Sequence, residues 1–255
     1  MKLKKIFIIT ILLSGLTMYY GCSSSGSSQI TTEDPNEAFN IAKAMYDKGD
    51  YVSAIEAFSF IKIKFPGTQI ADQIQFYLAQ SYFERKEYLL GAYEYENMLK
   101  NYPLSNLIPE SRYKLGLCYY YLSPKYGLDQ EFTHYAMSEL QLFVELYPND
   151  KNTADASEKL QELKDKLAYK ELTVGEQYMI LEDYGSAVLY FNNVYENYID
   201  SKYTEEAMVS QAEAYIKMKK PGDAKKVLDR FYKLFPNSKL KSRADELYNM
   251  TLAGK

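Results

Sequence analysis

The sequence predicts an all-α solenoid: five helix pairs stacked in series, finished by a C-terminal capping helix. Three observations carry this expectation. An aromatic–proline dipeptide recurs at Phe65-Pro66, Tyr102-Pro103, Tyr147-Pro148 and Phe235-Pro236, and Tyr198-Ile199 stands where a fifth would fall. The steps between them run from 37 to 51 residues, the range of stacked supersecondary units. Between the dipeptides, small and apolar residues recur at helical spacing, as at Leu78 and Tyr82 or Ala187, Phe191 and Val194.

Aligned backwards from the closing position, the units match in order. Unit one carries Ala42, Gly49, Tyr51, Ala54, Phe58 and Pro66; unit two carries Leu78, Ala79, Tyr82, Tyr88, Gly91, Tyr95 and Pro103. Unit three carries Leu115, Gly116, Tyr119, Ala136, Leu140, Phe143 and Pro148. Unit four carries Val174, Gly175, Tyr178, Tyr184, Ala187, Phe191 and Ile199, and unit five carries Ala212, Tyr215, Ala224, Leu228, Phe231 and Pro236. This order of small residue, Tyr, Ala, Phe and Pro resembles the tetratricopeptide repeat. Small residues at matched positions let paired helices approach closely. The proline ends each pair, because it cannot continue a helix and biases its predecessor towards extended backbone. One pair cannot bury both of its apolar stripes; stacked neighbours can.

Two units depart from the pattern. Unit three gains Ser123-Pro124-Lys125-Tyr126-Gly127-Leu128-Asp129-Gln130 between its helices, and its Pro and Gly mark a loop. Unit four is preceded by a charged run, Asn152 to Leu172, free of Pro and Gly, with Leu160, Leu163, Leu167 and Leu172 apolar. That predicts one long helix continuing through Val174 and Tyr178, coupling the first three units to the last two. Leu240, Ala244, Leu247 and Tyr248 predict the capping helix. The expected organisation is a signal segment over 1–21, a linker over 22–34, repeats one to three over 35–148, and the connecting helix, repeats four and five and the cap over 149–255.

The chain opens with Lys2, Lys4 and Lys5 and an apolar stretch, Ile6 to Leu16, of signal-peptide length. Gly21-Cys22 and then Ser23-Ser24-Ser25-Gly26-Ser27-Ser28 follow, resembling a bacterial lipoprotein signal, although Tyr19 stands where Leu is usual. The resemblance implies lipidation of Cys22 and anchorage at the membrane by lipid. Stable anchoring takes more than one acyl chain. Loss of the three leading lysines would leave 27 basic against 34 acidic residues, a net charge of −7. Bulk electrostatics then argue against nucleic acid as a partner. Cys118 would have no disulfide partner and reads as a small buried hydrophobe.

No chemistry is predicted. His134 is the single histidine, and nothing near it suggests a nucleophile turn or a zinc site. No phosphate-cradling loop occurs, so no catalytic residue, cofactor or metal is expected. The chain is instead rich in aromatics, with 27 Tyr and 12 Phe but no Trp. In tetratricopeptide proteins the ligand groove lies on the first helices, on the face away from the packing residues. Carried over, that face selects Phe39 and Tyr46 in unit one, Phe76, Gln80 and Phe83 in unit two, and Tyr113, Leu117 and Tyr120 in unit three. Such a groove suits an extended peptide with aromatic side chains; packing between repeats is the alternative use of the same residues. Replacing Phe76 and Phe83 with Ala is expected to weaken such a peptide.

The C-terminal half sharpens the resemblance. Lys166 to Leu172, then Gly175-Glu176-Gln177-Tyr178, Asp183-Tyr184-Gly185-Ser186-Ala187-Val188 and Tyr190-Phe191 are similar to the BamD family of outer-membrane assembly lipoproteins, with Ser186 in place of an Ala. Ala54-Ile55-Glu56-Ala57-Phe58 and Phe65-Pro66 agree. The resemblance implies a non-catalytic scaffold on the periplasmic side of the outer membrane. Its implied partners are a BamA-like barrel protein, met by the C-terminal units, and unfolded β-barrel precursors, met by the N-terminal units. It leaves room for other assembly lipoproteins. A periplasmic repeat scaffold for cell-wall or division complexes is the alternative.

Overall fold

The computed structural model describes residues 30–253, and the regular structure among them is helical. The predicted signal, Cys22 and most of the linker lie outside the described residues. Two compact units divide within the third helix, between Ser81 and Tyr82.

The first unit holds α1 (Pro35–Asp47), α2 (Tyr51–Lys64) and the start of α3 (Ala71–Glu84). Asp34 caps α1 by accepting from the Asn36 amide, and Pro35 occupies the first turn, where a missing N–H costs nothing. Asp50 caps α2 through the Ser53 amide. Tyr77 of α3 fills the space between the pair, with its ring 5.6 Å from Phe39 and 5.8 Å from Phe58. Ile30, within the expected linker, is buried, and Lys64 reaches back to the Thr32 carbonyl.

The second unit continues with α4 (Tyr88–Asn101), α5 (Ile108–Leu122), α6 (Glu131–Leu146), α7 (Thr153–Ile180), α8 (Tyr184–Asn197), α9 (Thr204–Lys217), α10 (Pro221–Leu234) and α11 (Lys241–Ala253). Each helix packs on the next, and α5 on α7, α7 on α9 and α9 on α11 as well. Contact between successive first helices is what makes helix pairs a solenoid. The fold is a tetratricopeptide-repeat solenoid with α11 as its cap: Ala244 and Leu247 join the core of Met208, Leu228 and Phe231.

Repeat positions perform the roles their chemistry suggests. The second-helix aromatics Phe58, Tyr95, Phe143, Phe191 and Phe231 are fully buried, each burial contributing about 1.5–3 kcal/mol. The matched small residues Ala42, Ala79, Gly116, Gly175 and Ala212 are buried too. A Cβ on Gly116 would lie 2.7 Å from Leu140 Cδ2, and one on Gly175 would lie 2.6 Å from Phe191 Cε1. Tyr198 ends α8 with its amide on the Val194 carbonyl, as Phe65, Tyr102, Tyr147 and Phe235 end theirs. Ile199 therefore replaces proline without changing the termination. Cys118 is buried, and burial pushes its thiol up to about 12.

Candidate functional site

The eight groove candidates divide by unit and by depth. In the first unit Phe39 is buried and Tyr46 half-buried, and both meet Tyr77, at 5.6 and 5.3 Å between ring centroids. Phe76 and Gln80 are buried, at 4% and 8% exposure. In the second unit Tyr113 and Leu117 belong to the core around Phe143, and Phe83 and Tyr120 pack against it from outside. Phe83 and Tyr120 are therefore the second-unit candidates that reach the surface. Truncating Phe76 would open a cavity before it touched a ligand.

What gathers Phe83 and Tyr120 into one surface is Tyr121, which was not among the candidates. Its exposed ring stacks on Tyr88 at 4.7 Å and lies 6.1 Å from Phe83 and 5.5 Å from Tyr120. Lys114 Nζ sits 4.2 Å from the Phe83 centroid, within cation–π range. Beside Tyr121 opens a cleft of about 300 Å³, lined by Tyr120, Tyr121, Ser123, Glu162, Leu163 and Lys166. A second hollow of about 270 Å³ shares Glu162 and Lys166 and extends to Tyr169, Lys202 and Tyr203.

Ser123, where the unit-three loop begins, lines the cleft. The Lys166 ammonium donates to Ser123 Oγ and to the Pro124 carbonyl, the latter at 3.1 Å. Both acceptors are neutral, and burial lowers the Lys166 pKa from its ordinary value. Tyr126 of the loop lies ring to ring with Tyr169, at 4.8 Å, and Tyr169 with Tyr203, at 5.0 Å. Gln130 fastens the loop from within: its Nε2 donates to the Lys125 and Leu128 carbonyls, both at 2.9 Å, while its Oε1 accepts from Thr133.

Phenol–carboxylate bonds tie the helices beneath. Tyr113 donates to Asp155 at 2.5 Å and Tyr120 donates to Glu162. Burial, then the hydrogen bond to Glu162, pushes the Tyr120 phenol up to about 12. Burial and Asp155 raise Tyr113 further in the same direction. Both phenols stay protonated donors at neutral pH. The arrangement offers π-faces, the Leu163 wall, the Lys166 ammonium on neutral acceptors and the Glu162 carboxylate engaged by Tyr120, and a chain segment bearing aromatic side chains and a carboxylate could use the first three.

Tyr121 had a readable signal. Tyr119, Tyr120 and Tyr121 are consecutive, and successive residues point about 100° apart on a helix. All three cannot face one core. Tyr126 carried a second signal, as an aromatic in a loop bounded by Pro and Gly.

The family model described as "YfiO: Outer membrane lipoprotein" matches residues 31–226. The chain is 29% identical to the outer membrane protein assembly factor BamD of Rickettsia prowazekii, over 97% of this chain and 98% of that protein. It is 24% identical to the protein of the same name from Neisseria meningitidis, over 96% and 97%. Among solved structures, the TPR2AB domain of yeast Sti1 is similar with a TM-score of 0.40 at 13% identity, covering 86% of this chain and 98% of that one. A thermophilic TPR protein of Thermus thermophilus gives 0.37 at 15%, covering 86% and 100%.

Proposed function

The chain belongs to the YfiO family of outer membrane lipoproteins, and from that premise we propose that it is a non-catalytic scaffold for outer-membrane β-barrel assembly. Lipid on Cys22 holds it at the periplasmic face. Its C-terminal repeats meet the periplasmic domains of a BamA-like barrel protein, and its first-helix aromatics receive unfolded barrel precursors. Relatives spanning nearly the whole chain carry the name of an outer membrane protein assembly factor.

One observation carries the precursor-binding part: the open cleft where Tyr120 and Tyr121 face Lys166. An extended precursor would lay aromatic side chains on the Phe83–Tyr88–Tyr121 face and a carboxylate on the ammonium. Tyr113 and Leu117, in the core of the second unit, hold its first helix in place, and Phe39, Tyr46, Phe76 and Gln80 do the same within the first unit. Peptide binding driven by stacking and a single charge pair is moderate, so rapid release is built in.

Two measurements test this. Extraction of the native protein in mild detergent should recover an outer-membrane barrel protein with tandem periplasmic domains; recovery of cell-wall or division proteins instead would refute the assembly role. A peptide ending in Tyr-x-Phe with a free carboxylate should bind the detergent-solubilised chain. Tyr121→Leu and Lys166→Met should each weaken it about fivefold or more. Unchanged affinity in both variants would remove the cleft from the proposal and leave the assembly role standing.

A further inference from the structure

Tyr119 points away from the cleft, one step of about 100° around α5, and takes part in a different surface. Its ring meets Tyr135 at 5.3 Å and stacks on Phe132 at 6.1 Å, both on α6. Its hydroxyl donates to Glu96 of α4. Glu96, Tyr119, Tyr135, Ser138 and Glu139 line a cavity of about 350 Å³ built from three helices of the second unit. Tyr135 is 44% exposed, so one aromatic wall stands open to solvent.

The charge at this face is unbalanced. Glu139 pairs with Arg112 at 2.6 Å, and Tyr135 donates to Glu131 at 2.7 Å. Burial, aided by the charge of Glu96, still raises the Glu139 pKa despite Arg112. Burial, then Glu96, then Glu139 also raise the Tyr119 phenol. The local potential is negative, and an added cation would relieve it.

We propose that this face docks an arginine-bearing segment of a partner protein, the guanidinium stacking on Tyr135 and Tyr119 with its N–H edge on Glu96. A metal ion fits less well. Among the described residues no group of three or more His, Cys, Asp or Glu could hold one, and Glu139 is already engaged. A guanidinium suits the walls better than an ammonium, because it is planar, stacks on aromatic rings and sheds water more readily. Arg112 on Glu139 is the same chemistry supplied from within the chain.

The test uses the full chain in non-ionic detergent and a fluorescein-labelled peptide, Gly-Ser-Arg-Gly-Arg-Ser-Gly, followed by anisotropy at low salt. Citrulline in place of both arginines keeps the shape and removes the charge, and should bind about tenfold more weakly. Glu96→Gln and Tyr135→Leu should each weaken the arginine peptide about three- to fivefold, with circular dichroism unchanged. Lys166→Met should leave this binding as it is, which separates the face from the cleft. Equal binding of the two peptides, or full affinity in both Glu96→Gln and Tyr135→Leu, would overturn the proposal.

Discussion

Two ways of joining the helices of a pair meet in the second unit. Between α3 and α4 the chain reverses in three residues, with Lys86 in the left-handed region at φ 62°. The Lys86 amide donates to the Phe83 carbonyl and the Glu87 amide to the Tyr82 carbonyl, the two bonds of a Schellman turn. Glu182 and Lys219 repeat it in units four and five. Unit three does otherwise. Ser123 leaves α5 in extended conformation, and the chain takes eight residues to reach α6. The Leu128 amide returns to the Lys125 carbonyl, and the buried side chain of Gln130 donates to the Lys125 and Leu128 carbonyls. The tight turns close on their two backbone bonds. The loop is fastened by side chains, and its first residue, Ser123, lines the candidate binding cleft. Length without fastening would mark a tolerated insertion; length fastened by a buried amide and a half-buried lysine marks a built surface.

The sharpest way to break this comparison is at Gln130. Gln130→Leu should cost about 1–2 kcal/mol, since it removes the amide's bonds to the Lys125 and Leu128 carbonyls and the acceptor of the Thr133 hydroxyl. Denaturant unfolding measures the loss, and amide exchange should show it first across residues 125–130. A cost below about 0.5 kcal/mol would mean that the loop is not held in this way.

Packing next to the two connections should respond alike even though the connections differ. Gly116→Ala, beside the loop, and Gly175→Ala, before a tight turn, each place a Cβ against a buried neighbour. Overpacking of this kind costs about 1–3 kcal/mol and outweighs the roughly 1 kcal/mol that Ala offers over Gly in a helix. Gly175→Ala should be the worse, because the Phe191 ring cannot step aside as Leu140 can. If thermal unfolding showed either variant more stable than the parent, the close approach of these helices would be disproved.

The tight turns make an opposite prediction. Lys86→Gly, Glu182→Gly and Lys219→Gly should each raise stability by up to about 1 kcal/mol, because a left-handed conformation costs a side-chain-bearing residue about that much. Gly49, at φ 77°, already has the preferred residue in unit one. These turns were hard to read from sequence for that reason: three of the four lack the glycine that usually announces them. The helices themselves were readable, because Ala, Gly and aromatic positions recur in register and each unit obeys the same packing. The surface was only partly readable. Helical period names a face, but in a solenoid a first helix is covered by its own partner and by neighbouring repeats. Periodicity therefore grouped buried Tyr113 and Leu117 with surface-reaching Tyr120. The unit-three insertion was legible as a loop, whereas its fastening by Lys166 depends on contacts made 42 and 43 residues apart in the chain.

The smallest effect distinguishes the tight turns from one another. Asp50 and Asp183 follow their left-handed residue and cap α2 and α8 through the amides of Ser53 and Ser186. Glu87 and Lys220, at the same place in units two and five, make no side-chain cap. Hydrogen bonds from Ser53 and from Ser186 lower the two aspartate pKa values below the ordinary 3.8. A carboxylate whose pKa is lower in the folded state contributes stability that is fully present above its unfolded pKa. That stability is lost as pH falls through the folded value. The capping contribution should therefore be complete at neutral pH and fade below about pH 4. Asn caps as well as Asp but does not titrate. The double variant Asp50→Asn, Asp183→Asn should match the parent near pH 7 and show a shallower decline in melting temperature between pH 5 and 3. Parallel acid limbs in the parent and the double variant would show that the caps are held by geometry alone, with no contribution from the charge.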